Sequence, residues 1–315
     1  MDLPLIRQIL EISMDREEKI GGVTLNYTYY SGTDTYSDGD SEEKLLKLAM
    51  DGTDPEEAAA ADPDWSVLYH MSPIRRNLLE WYPFRKDGSL LEIGSGCGAL
   101  TGLFCERTGH VTAVDLSRRR SLINAYRHRE HDNLEILVGN FKDICLREKY
   151  DYATLIGVLE YSIYYVDAAD PFLEMLKKVR SFLKPGGILM IAIENKYGIK
   201  YWAGAREDHT GRLFEGITGY PSSDRVRTFS RHGLQELILK AGFEKTEFYY
   251  PVPDYKLPSE IWSDRMLPPE GRFSGDSPAY DRDRYHFFNE ARAMNSIIED
   301  HLFPEFSNSF LVICQ

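Results

Sequence analysis

Short apolar runs and amphipathic segments alternate along most of this chain of 315 residues. Apolar runs of strand length occur at 89–93, 111–114, 134–138, 152–158, 188–193, 243–250 and 308–314. Segments with apolar residues at helical spacing lie between them, at 99–107, 117–131, 170–183, 230–242 and 284–301. Inner strands that are apolar throughout are typical of a parallel sheet. The pattern therefore predicts an α/β fold with helices on both faces of a mostly parallel sheet.

The N-terminal part of the chain carries a weaker and different pattern. Residues 4–19 place apolar side chains at helical spacing and predict an amphipathic helix. Alternation over 23–30 predicts a half-buried strand, and a short helix is expected over 41–50. The stretch 51–64 contains two Asp-Pro pairs around four alanines, which indicates a linker or loosely packed arm. The expected organisation is an N-terminal extension and linker over 1–64, then one domain over 65–315.

Three further signals mark boundaries inside that domain. A helix is expected over 65–82 with a restart at Pro73, because proline suits the first turn of a helix. The run Lys-Pro-Gly-Gly at 184–187 predicts a helix stop followed by a turn. Long irregular segments at about 195–229 and 251–282 are typical of functional lids or binding elements. We expect both inserted segments to cover the site where an acceptor substrate binds.

Composition and charge narrow the classes of function. Acidic residues outnumber basic residues 50 to 37, for a net charge of −13, so nucleic acid is not the expected partner. No stretch approaches the roughly 20 apolar residues that span a bilayer, and the first residues lack a signal-peptide pattern. Four cysteines without a C-x-x-C pair indicate neither a zinc site nor a disulfide framework. A cytoplasmic protein is expected, and its oligomeric state is left open.

The candidate ligand loop follows the strand predicted at 89–93. Open α/β sheets bind ligands beyond the carboxyl ends of their strands, and alternate glycines after this strand let the backbone turn tightly there. A phosphate-binding loop would use the same freedom, but Glu92 disfavours a pyrophosphate and suits a cationic ligand. Asp115, at the end of the next strand, is positioned to accept hydrogen bonds from ribose hydroxyls.

Several motifs in the right order resemble class I S-adenosylmethionine-dependent methyltransferases. Residues 92–98 resemble the family fingerprint E/D-x-G-x-G-x-G, and Asp115 matches the acidic residue that ends strand two. Asn140 follows strand three, where the family commonly has Asp, and 157–161 resembles the segment that ends strand four. The resemblance covers about 85–250 and implies a Rossmann-like sheet of seven strands, the last one antiparallel. It also implies S-adenosylmethionine as cofactor.

The same resemblance implies which residues hold the cofactor. In related methyltransferases the helix before the domain closes over the cofactor, so Tyr69 and Arg75 are expected near its carboxylate or sulfonium. The expected cofactor-binding residues are Tyr69, Arg75, Glu92, Gly94, Ser95, Gly96, Cys97, Gly98, Asp115, Leu116, Asn140, Phe141, Gly157, Val158 and Glu160.

The catalytic candidates lie in the first inserted segment. Methyl transfer is an in-line displacement, and a hydroxyl acceptor must also lose its proton. The stretch 205–212 gathers two carboxylates, a histidine and two arginines. His209 is the expected general base because its reference pKa lies at about 6.5. Asp208 or Glu207 is expected to orient it.

Two other roles were considered for this stretch. Arg206 and Arg212 are candidates to hold a phosphate or carboxylate of the acceptor. A metal ion bound by Glu207, Asp208 and His209 is not expected, because adjacent residues rarely point at one ion. The plainer alternative is a surface loop whose charges pair with one another.

The amino-acid sequence of the first insert suggests the kind of acceptor. Residues 194–211 resemble methyltransferase domains of bacterial surface-polysaccharide clusters, which often accompany glycosyltransferases. This resemblance implies a sugar, nucleotide-sugar or glycan acceptor and a glycosyltransferase partner. Aromatic residues suited to sugar stacking, or simply to filling a core, are Tyr201, Trp202, Phe214, Tyr220, Tyr249, Tyr250 and Tyr255.

Three alternatives stand beside this hypothesis. Within the fold, the chain could methylate nitrogen or oxygen of another small metabolite. A nicotinamide-dependent sugar dehydrogenase or epimerase would instead need G-x-G-x-x-G without an acid before it, and would leave the Lys-Pro-Gly-Gly run unexplained. A catalytically inactive cofactor-binding partner of a glycosyltransferase would keep the same cofactor motifs.

Overall fold

Strands from both ends of the chain pair into one sheet. The computed structural model describes residues 16–34, 39–62, 64–222, 226–280 and 282–315. Within these residues the sheet has ten strands: β1 Glu17–Ile20, β2 Val23–Tyr29, β3 Ser89–Ile93, β4 His110–Asp115, β5 Leu134–Gly139, β6 Tyr150–Ile156, β7 Leu183–Glu194, β8 Thr246–Val252, β9 Glu260–Ser263 and β10 Ser309–Cys314. Their order across the sheet is β1-β2-β5-β4-β3-β6-β7-β10-β8-β9.

The middle of the sheet is parallel and its margins are antiparallel. Strands β2, β5, β4, β3, β6 and β7 all run in the same direction. Strand β10 lies antiparallel between β7 and β8, β9 pairs antiparallel with β8, and β1 pairs antiparallel with β2. The predicted α/β class, the mostly parallel sheet and the antiparallel last strand are therefore confirmed.

Helices pack on both faces of this sheet, as predicted. Their bounds are α1 Asp40–Asp51, α2 Pro55–Ala61, α3 Trp65–Met71, α4 Thr101–Arg107, α5 Arg118–Arg127, α6 Ser162–Tyr165, α7 Pro171–Phe182, α8 Ile199–Trp202, α9 Arg231–Lys240, α10 Glu290–Glu299 and α11 Phe303–Phe306. Successive strand residues point to opposite faces. Leu91 accordingly packs in the cluster that contains α7, α9 and α10, whereas Leu90 packs in the cluster that contains α4 and α5.

The predicted number of seven strands is wrong, because three strands extend the sheet at its margins. Strands β1 and β2 come from the N-terminal extension, and β2 pairs with β5. Strand β9 comes from the second insert and pairs with β8. Each group of added strands pairs with a sheet edge that a seven-stranded sheet would leave exposed. The sequence motifs of the domain do not predict this pairing.

Two predictions for the extension are corrected. The helix predicted over 4–19 falls mostly outside the described residues, and its last part is strand β1. The linker predicted over 51–64 contains helix α2, which Asp54 caps by accepting hydrogen bonds from the backbone of Glu56 and Glu57. Ala58 is buried in a small apolar cluster, which explains why this alanine-rich stretch forms a helix. The domain boundary at residue 64 stays a prediction.

Two element boundaries inside the domain also differ from expectation. The helix predicted over 284–301 begins only at Glu290, where Asn289 caps it. The turn predicted at 184–187 lies inside β7, where the pairing with β6 shifts register between Tyr150 and Tyr152. The Pro-Gly-Gly run therefore ends α7 as expected, but it forms an irregularity in the strand instead of a separate turn.

The capping contact in α2 can be tested by stability. Asp54→Ala should lower the free energy of unfolding by about 1 kcal/mol, because two backbone N–H groups lose their acceptor. Asp54→Asn keeps an acceptor oxygen and should stay close to the parent. Urea denaturation of the three proteins measures the difference, and equal stability of all three would show that α2 does not form.

Candidate active site

A cavity of about 1100 Å³ opens at the carboxyl ends of the parallel strands. This is the edge at which open α/β sheets bind ligands. Helix α3 covers one side of the cavity, and residues of both inserts cover the other. All expected cofactor residues line the cavity except Glu92 and Gly98.

The glycine loop leaves β3 in a conformation that side chains would obstruct. Gly94 and Gly98 have φ angles of 69° and 78°, which L-residues rarely adopt. A Cβ on Gly94 would lie 2.4 Å from Cγ2 of Val158, and one on Gly98 would lie 2.3 Å from Oδ1 of Asn124. The backbone N–H groups of Gly94 and Ser95 both donate to the carbonyl of Val114, at 2.8 and 3.0 Å. The loop is therefore tied to β4, which also carries Asp115.

Asp115 stands at the end of β4 and joins the loop to the next helix. Its Oδ2 accepts from the N–H of Gly96 at 2.8 Å, and its Oδ1 accepts from the N–H of Ser117 at 2.9 Å. Burial raises the pKa of Asp115. Leu116, Asn140 and the carboxylate of Asp115 all lie on the cavity wall, which is consistent with the predicted nucleoside side of the site.

Glu92 lies behind the glycine loop and not on the cavity wall. Its carboxylate accepts a hydrogen bond from the Thr101 hydroxyl at 2.6 Å, and burial raises its pKa to about 8. The predicted direct contact between Glu92 and a cationic ligand is therefore corrected. Glu92 instead connects β3 to the start of α4, beneath the loop.

The 3-10 helix Pro73–Leu78, which follows α3, contacts the second insert through Arg75. The guanidinium of Arg75 lies 4.2 Å from the centre of the Tyr69 ring, and its Nη1 donates to the carbonyl of Lys256 at 3.2 Å. Arg75 Nε is buried and has no hydrogen-bond partner among the described residues, and both side chains line the cavity. This arrangement suits the predicted contact with a ligand carboxylate.

Three acidic or basic side chains meet at the opposite end of the cavity, which we call the acceptor end. Glu160 follows β6, Glu194 is the last residue of β7, and His209 comes from the first insert. His209 Nδ1 lies 2.9 Å from Oε1 of Glu207, and its Nε2 lies 3.8 Å from Oε1 of Glu160. The imidazole also packs edge-to-face on Tyr161, with 5.2 Å between ring centres.

The neighbours of His209 change its titration. Burial opposes its positive charge, but hydrogen bonding to Glu160 and Glu207 outweighs burial and raises the pKa of His209 well above its usual value. Burial also raises the pKa of Glu160. These two carboxylates therefore favour the protonated form of the imidazole, and the role of His209 as general base stays a prediction.

Asp208 does not orient His209. Its carboxylate contacts Lys256 Nζ at 2.7 Å, Lys200 Nζ at 3.1 Å and the Tyr201 hydroxyl. Burial opposes ionisation of Asp208, but the two lysines outweigh it and hold its pKa well below the usual range. The orienting contact belongs to Glu207, and a catalytic role for Asp208 stays a prediction.

Glu194, Lys200 and Lys256 are part of the site but were not among the expected site residues. Lys256 Nζ contacts Oε1 of Glu194 at 2.5 Å as well as Asp208, so it connects the two inserts to the end of β7. A charged residue that ends an apolar strand, as Glu194 does, was an available signal. Lys256 had none, because its partners are remote in sequence.

The predicted arginines and the predicted aromatic residues lie partly in the cavity wall and partly elsewhere. Arg206 lines the cavity, whereas Arg212 is exposed and is not part of its wall. Among the aromatic candidates, Trp202 and Phe214 are exposed and Tyr249 is half-buried. The core holds Tyr201, Tyr220, Tyr250 and Tyr255.

Comparison with known proteins identifies the class. The model of a methyltransferase domain family matches residues 67–247. The ubiquinone biosynthesis O-methyltransferase of Coxiella burnetii is 30% identical over 166 residues, which cover 50% of this chain and 63% of that protein. The ribosomal RNA small subunit methyltransferase A of Syntrophus aciditrophicus is 29% identical over 84 residues, 27% of this chain and 28% of that protein. The chain thus matches less than two thirds of either curated relative.

The alignment with a solved structure of a DhpI-SAH complex covers 89% of this chain and 98% of the chain in that structure. The TM-score is 0.45 and the sequence identity is 18%. The chain belongs to the methyltransferase domain family whose model it matches. Residues 67–247 thus form a methyltransferase domain, and S-adenosylmethionine as its cofactor stays a prediction. Because the chain belongs to a methyltransferase family, the alternative of a nicotinamide-dependent sugar dehydrogenase or epimerase is not supported. In the described residues, no helix has the length and apolar character needed to cross a membrane.

Asp115→Ala tests the nucleoside side of the site. We expect affinity for S-adenosylhomocysteine to fall by about 10- to 100-fold, because a hydrogen bond to a charged group contributes about 1.5–3 kcal/mol. Calorimetric titration measures the change. The exposed Asp132→Ala is the matched control for loss of one negative charge. Unchanged affinity in Asp115→Ala would remove this residue from the binding site.

Proposed function

We propose that the chain methylates a hydroxyl group of a polar acceptor, namely a sugar, nucleotide-sugar or glycan intermediate. The observation that carries this proposal is the chemistry of the acceptor end. There, the cavity that begins at the glycine loop ends among buried and half-buried ionisable side chains. They include Glu160, Glu194, Lys200, Asp208, His209, Asp254 and Lys256.

A polar wall of this kind favours a polar acceptor. A buried charged or polar group is costly unless a hydrogen bond or an opposite charge compensates it. An apolar aromatic ring at the acceptor end would leave Oε2 of Glu160 and Oε2 of Glu194 without such a partner, whereas a polyhydroxyl compound offers both donors and acceptors. A site built for hydrogen bonding discriminates strongly against ligands that cannot form those bonds.

The proposed reaction makes two bonds, one from oxygen to the methyl carbon and one from the proton to a protein base, and breaks two. The acceptor O–H bond breaks, the oxygen forms a bond to the methyl carbon, and the carbon–sulfur bond of S-adenosylmethionine breaks. The products are a methyl ether and S-adenosylhomocysteine. The acceptor's proton passes to the cluster of Glu160, His209 and Glu207, and we propose His209 as the residue on which its removal depends.

The mouth of the cavity suits an anionic group on the acceptor. Arg206 and Arg282 both line it, and planar guanidinium groups bind phosphate through paired hydrogen bonds. This feature supports a nucleotide-sugar among the polar acceptors. The cytoplasmic location and the glycosyltransferase partner stay predictions.

Methylation of an amine is a second candidate. In the part of the chain that the structure describes, Glu160 Oε2 and Glu194 Oε2 are buried without hydrogen-bond partners, and such oxygens also suit the ammonium group of a small metabolite. The ubiquinone biosynthesis relative, by its name, methylates oxygen. The two candidates therefore differ in the atom that receives the methyl group.

The acceptor class can be determined with methyl-labelled S-adenosylmethionine. The purified protein would be incubated with nucleotide-sugars, free sugars, oligosaccharides, small amines and phenols, and products would be analysed by mass spectrometry and NMR. We expect the label in a methyl ether of a sugar compound. Label on nitrogen, or only on a phenol, would contradict the proposal.

His209→Asn tests the catalytic end independently of cofactor binding. Turnover with the identified acceptor should fall by about 100- to 10,000-fold, the range typical of a lost proton-transfer group. Affinity for S-adenosylhomocysteine should stay close to that of the parent. The exposed His286→Asn serves as control and should keep full turnover. Full turnover in His209→Asn would eliminate the proposed role of this residue.

A further inference from the structure

Glu160, Glu194 and His209 bring three potential metal-binding atoms to one point. They come from the segment after β6, the end of β7 and the first insert, so no local sequence motif joins them. One carboxylate oxygen from each glutamate and one ring nitrogen of His209 all lie within 4.8 Å of one another. Small side-chain rotations would bring these atoms to the spacing that a metal ion requires.

One carboxylate oxygen of each glutamate lacks a hydrogen-bond partner among the described residues. Glu160 and Glu194 are each only 1% exposed, and Oε2 of each has no hydrogen-bond partner among the described residues. Both side chains face the cavity. Buried carboxylate oxygens are normally hydrogen-bonded, so two unpaired ones on the wall of one cavity indicate a ligand that carries positive charge.

His209 is already held in the orientation that a metal ligand needs. Its Nδ1 lies 2.9 Å from Oε1 of Glu207, which leaves Nε2 directed toward Glu160. Oε2 of Glu207 accepts hydrogen bonds from the backbone N–H groups of His209 and Thr210, at 3.0 and 2.7 Å. These two bonds hold the Glu207 carboxylate in place. Metal-binding histidines commonly pair their second ring nitrogen with a carboxylate in this way.

The nearby lysines leave this point open to a cation. Lys256 contacts Oε1 of Glu194 and Asp208, while Lys200 contacts Asp208 and Asp254. Neither lysine uses the unpaired Oε2 of Glu194. Negative charge is in excess at the acceptor end even when His209 is protonated. Five carboxylates share the region with two lysines and one histidine: Glu160, Glu194, Glu207, Asp208 and Asp254 with Lys200, Lys256 and His209.

We propose that Glu160, Glu194 and His209 bind a divalent transition-metal ion such as Mn²⁺. Carboxylates suit Mn²⁺ and imidazole suits the later transition metals, so this mixed donor set favours a transition metal over Ca²⁺. This set differs from the triad of adjacent residues Glu207, Asp208 and His209. Glu207 supports His209 and Asp208 pairs with lysines, so neither is a proposed ligand. Binding of the ion does not depend on the proposed function.

The ion's role does rest on the proposed function. Three protein ligands leave coordination positions open, and neighbouring hydroxyl oxygens of a sugar could occupy them. A cation at this point would orient the acceptor oxygen and stabilise negative charge on it. His209 would then act through the bound ion, which agrees with its dependence on Glu207 for orientation.

Mn²⁺ binding tests the proposal on the full chain with S-adenosylhomocysteine bound. The chelator-treated protein would be titrated with Mn²⁺ and followed by electron paramagnetic resonance. We expect one saturable site whose electron spin echo modulation shows coupling to an imidazole nitrogen. Absence of saturable binding, or binding without nitrogen coupling, would overturn the proposal.

Variants locate the ion. Glu194→Gln and His209→Gln should abolish the saturable site, and Glu207→Gln should weaken it about 10- to 100-fold through loss of ligand support. His286→Gln is the matched control, because His286 and Asp276 form an exposed histidine–carboxylate pair. Loss of the signal in the control instead of His209→Gln would show adventitious surface binding. Circular dichroism establishes that each variant is folded, and the nitrogen coupling in the parent protein decides the matter if one is not.

The two proposals fail in different ways. Mn²⁺ bound at His209 without methylation of any hydroxyl acceptor would contradict the proposed function and leave the metal site intact. Methylation of a sugar hydroxyl by chelator-treated protein that binds no Mn²⁺ would overturn the metal site and leave the proposed function intact.

Discussion

Parallel pairing of neighbouring strands is the constraint on which the rest of the site depends. Because β5, β4, β3, β6 and β7 run in the same direction, their carboxyl ends meet at one edge of the sheet. Asp115 and Glu194, each the last residue of a strand, therefore face the same cavity although they are remote in sequence. Helices on both faces bury the apolar side chains of these strands and hold the edge in place. The inserts can then add His209 and Lys256 to a rigid frame.

The acceptor end is stable only as a group of charges. Lys256 contacts both Glu194 and Asp208, and Asp208 also contacts Lys200, so removal of one member would leave others uncompensated. A protein interior rarely keeps such a cluster for stability, because well-packed apolar residues serve that purpose at lower cost. Perturbed titration in a cleft is instead typical of functional sites. The arrangement therefore supports a chemical role for this end of the cavity.

Features encoded in short runs of sequence could be predicted, whereas features that depend on contacts between remote residues could not. The central strands, the glycine loop and Asp115 are encoded in short runs, and the structure places each as expected. The added strands depend on remote pairing: Asn26 of β2 donates to Glu135 of β5, 109 positions away, and no local pattern predicts that contact. The choice between Glu207 and Asp208 depended on tertiary contacts, because Glu207 pairs with His209 whereas Asp208 pairs with the remote Lys256. The position of Glu92 behind the loop was decided by its bond to Thr101.

The same two glutamates, Glu160 and Glu194, affect both which acceptor binds and whether a cation binds. The unpaired oxygens of Glu160 and Glu194 make the acceptor end unfavourable for an apolar ring, because that ring would leave them desolvated and unpaired. The same oxygens favour a cation, and a bound cation in turn favours an acceptor with neighbouring oxygen atoms. An acceptor that carries its own ammonium group would satisfy the cluster directly and would need no metal. The sugar acceptor and the metal ion therefore support each other, whereas an amine acceptor and the metal ion would compete for the same oxygens.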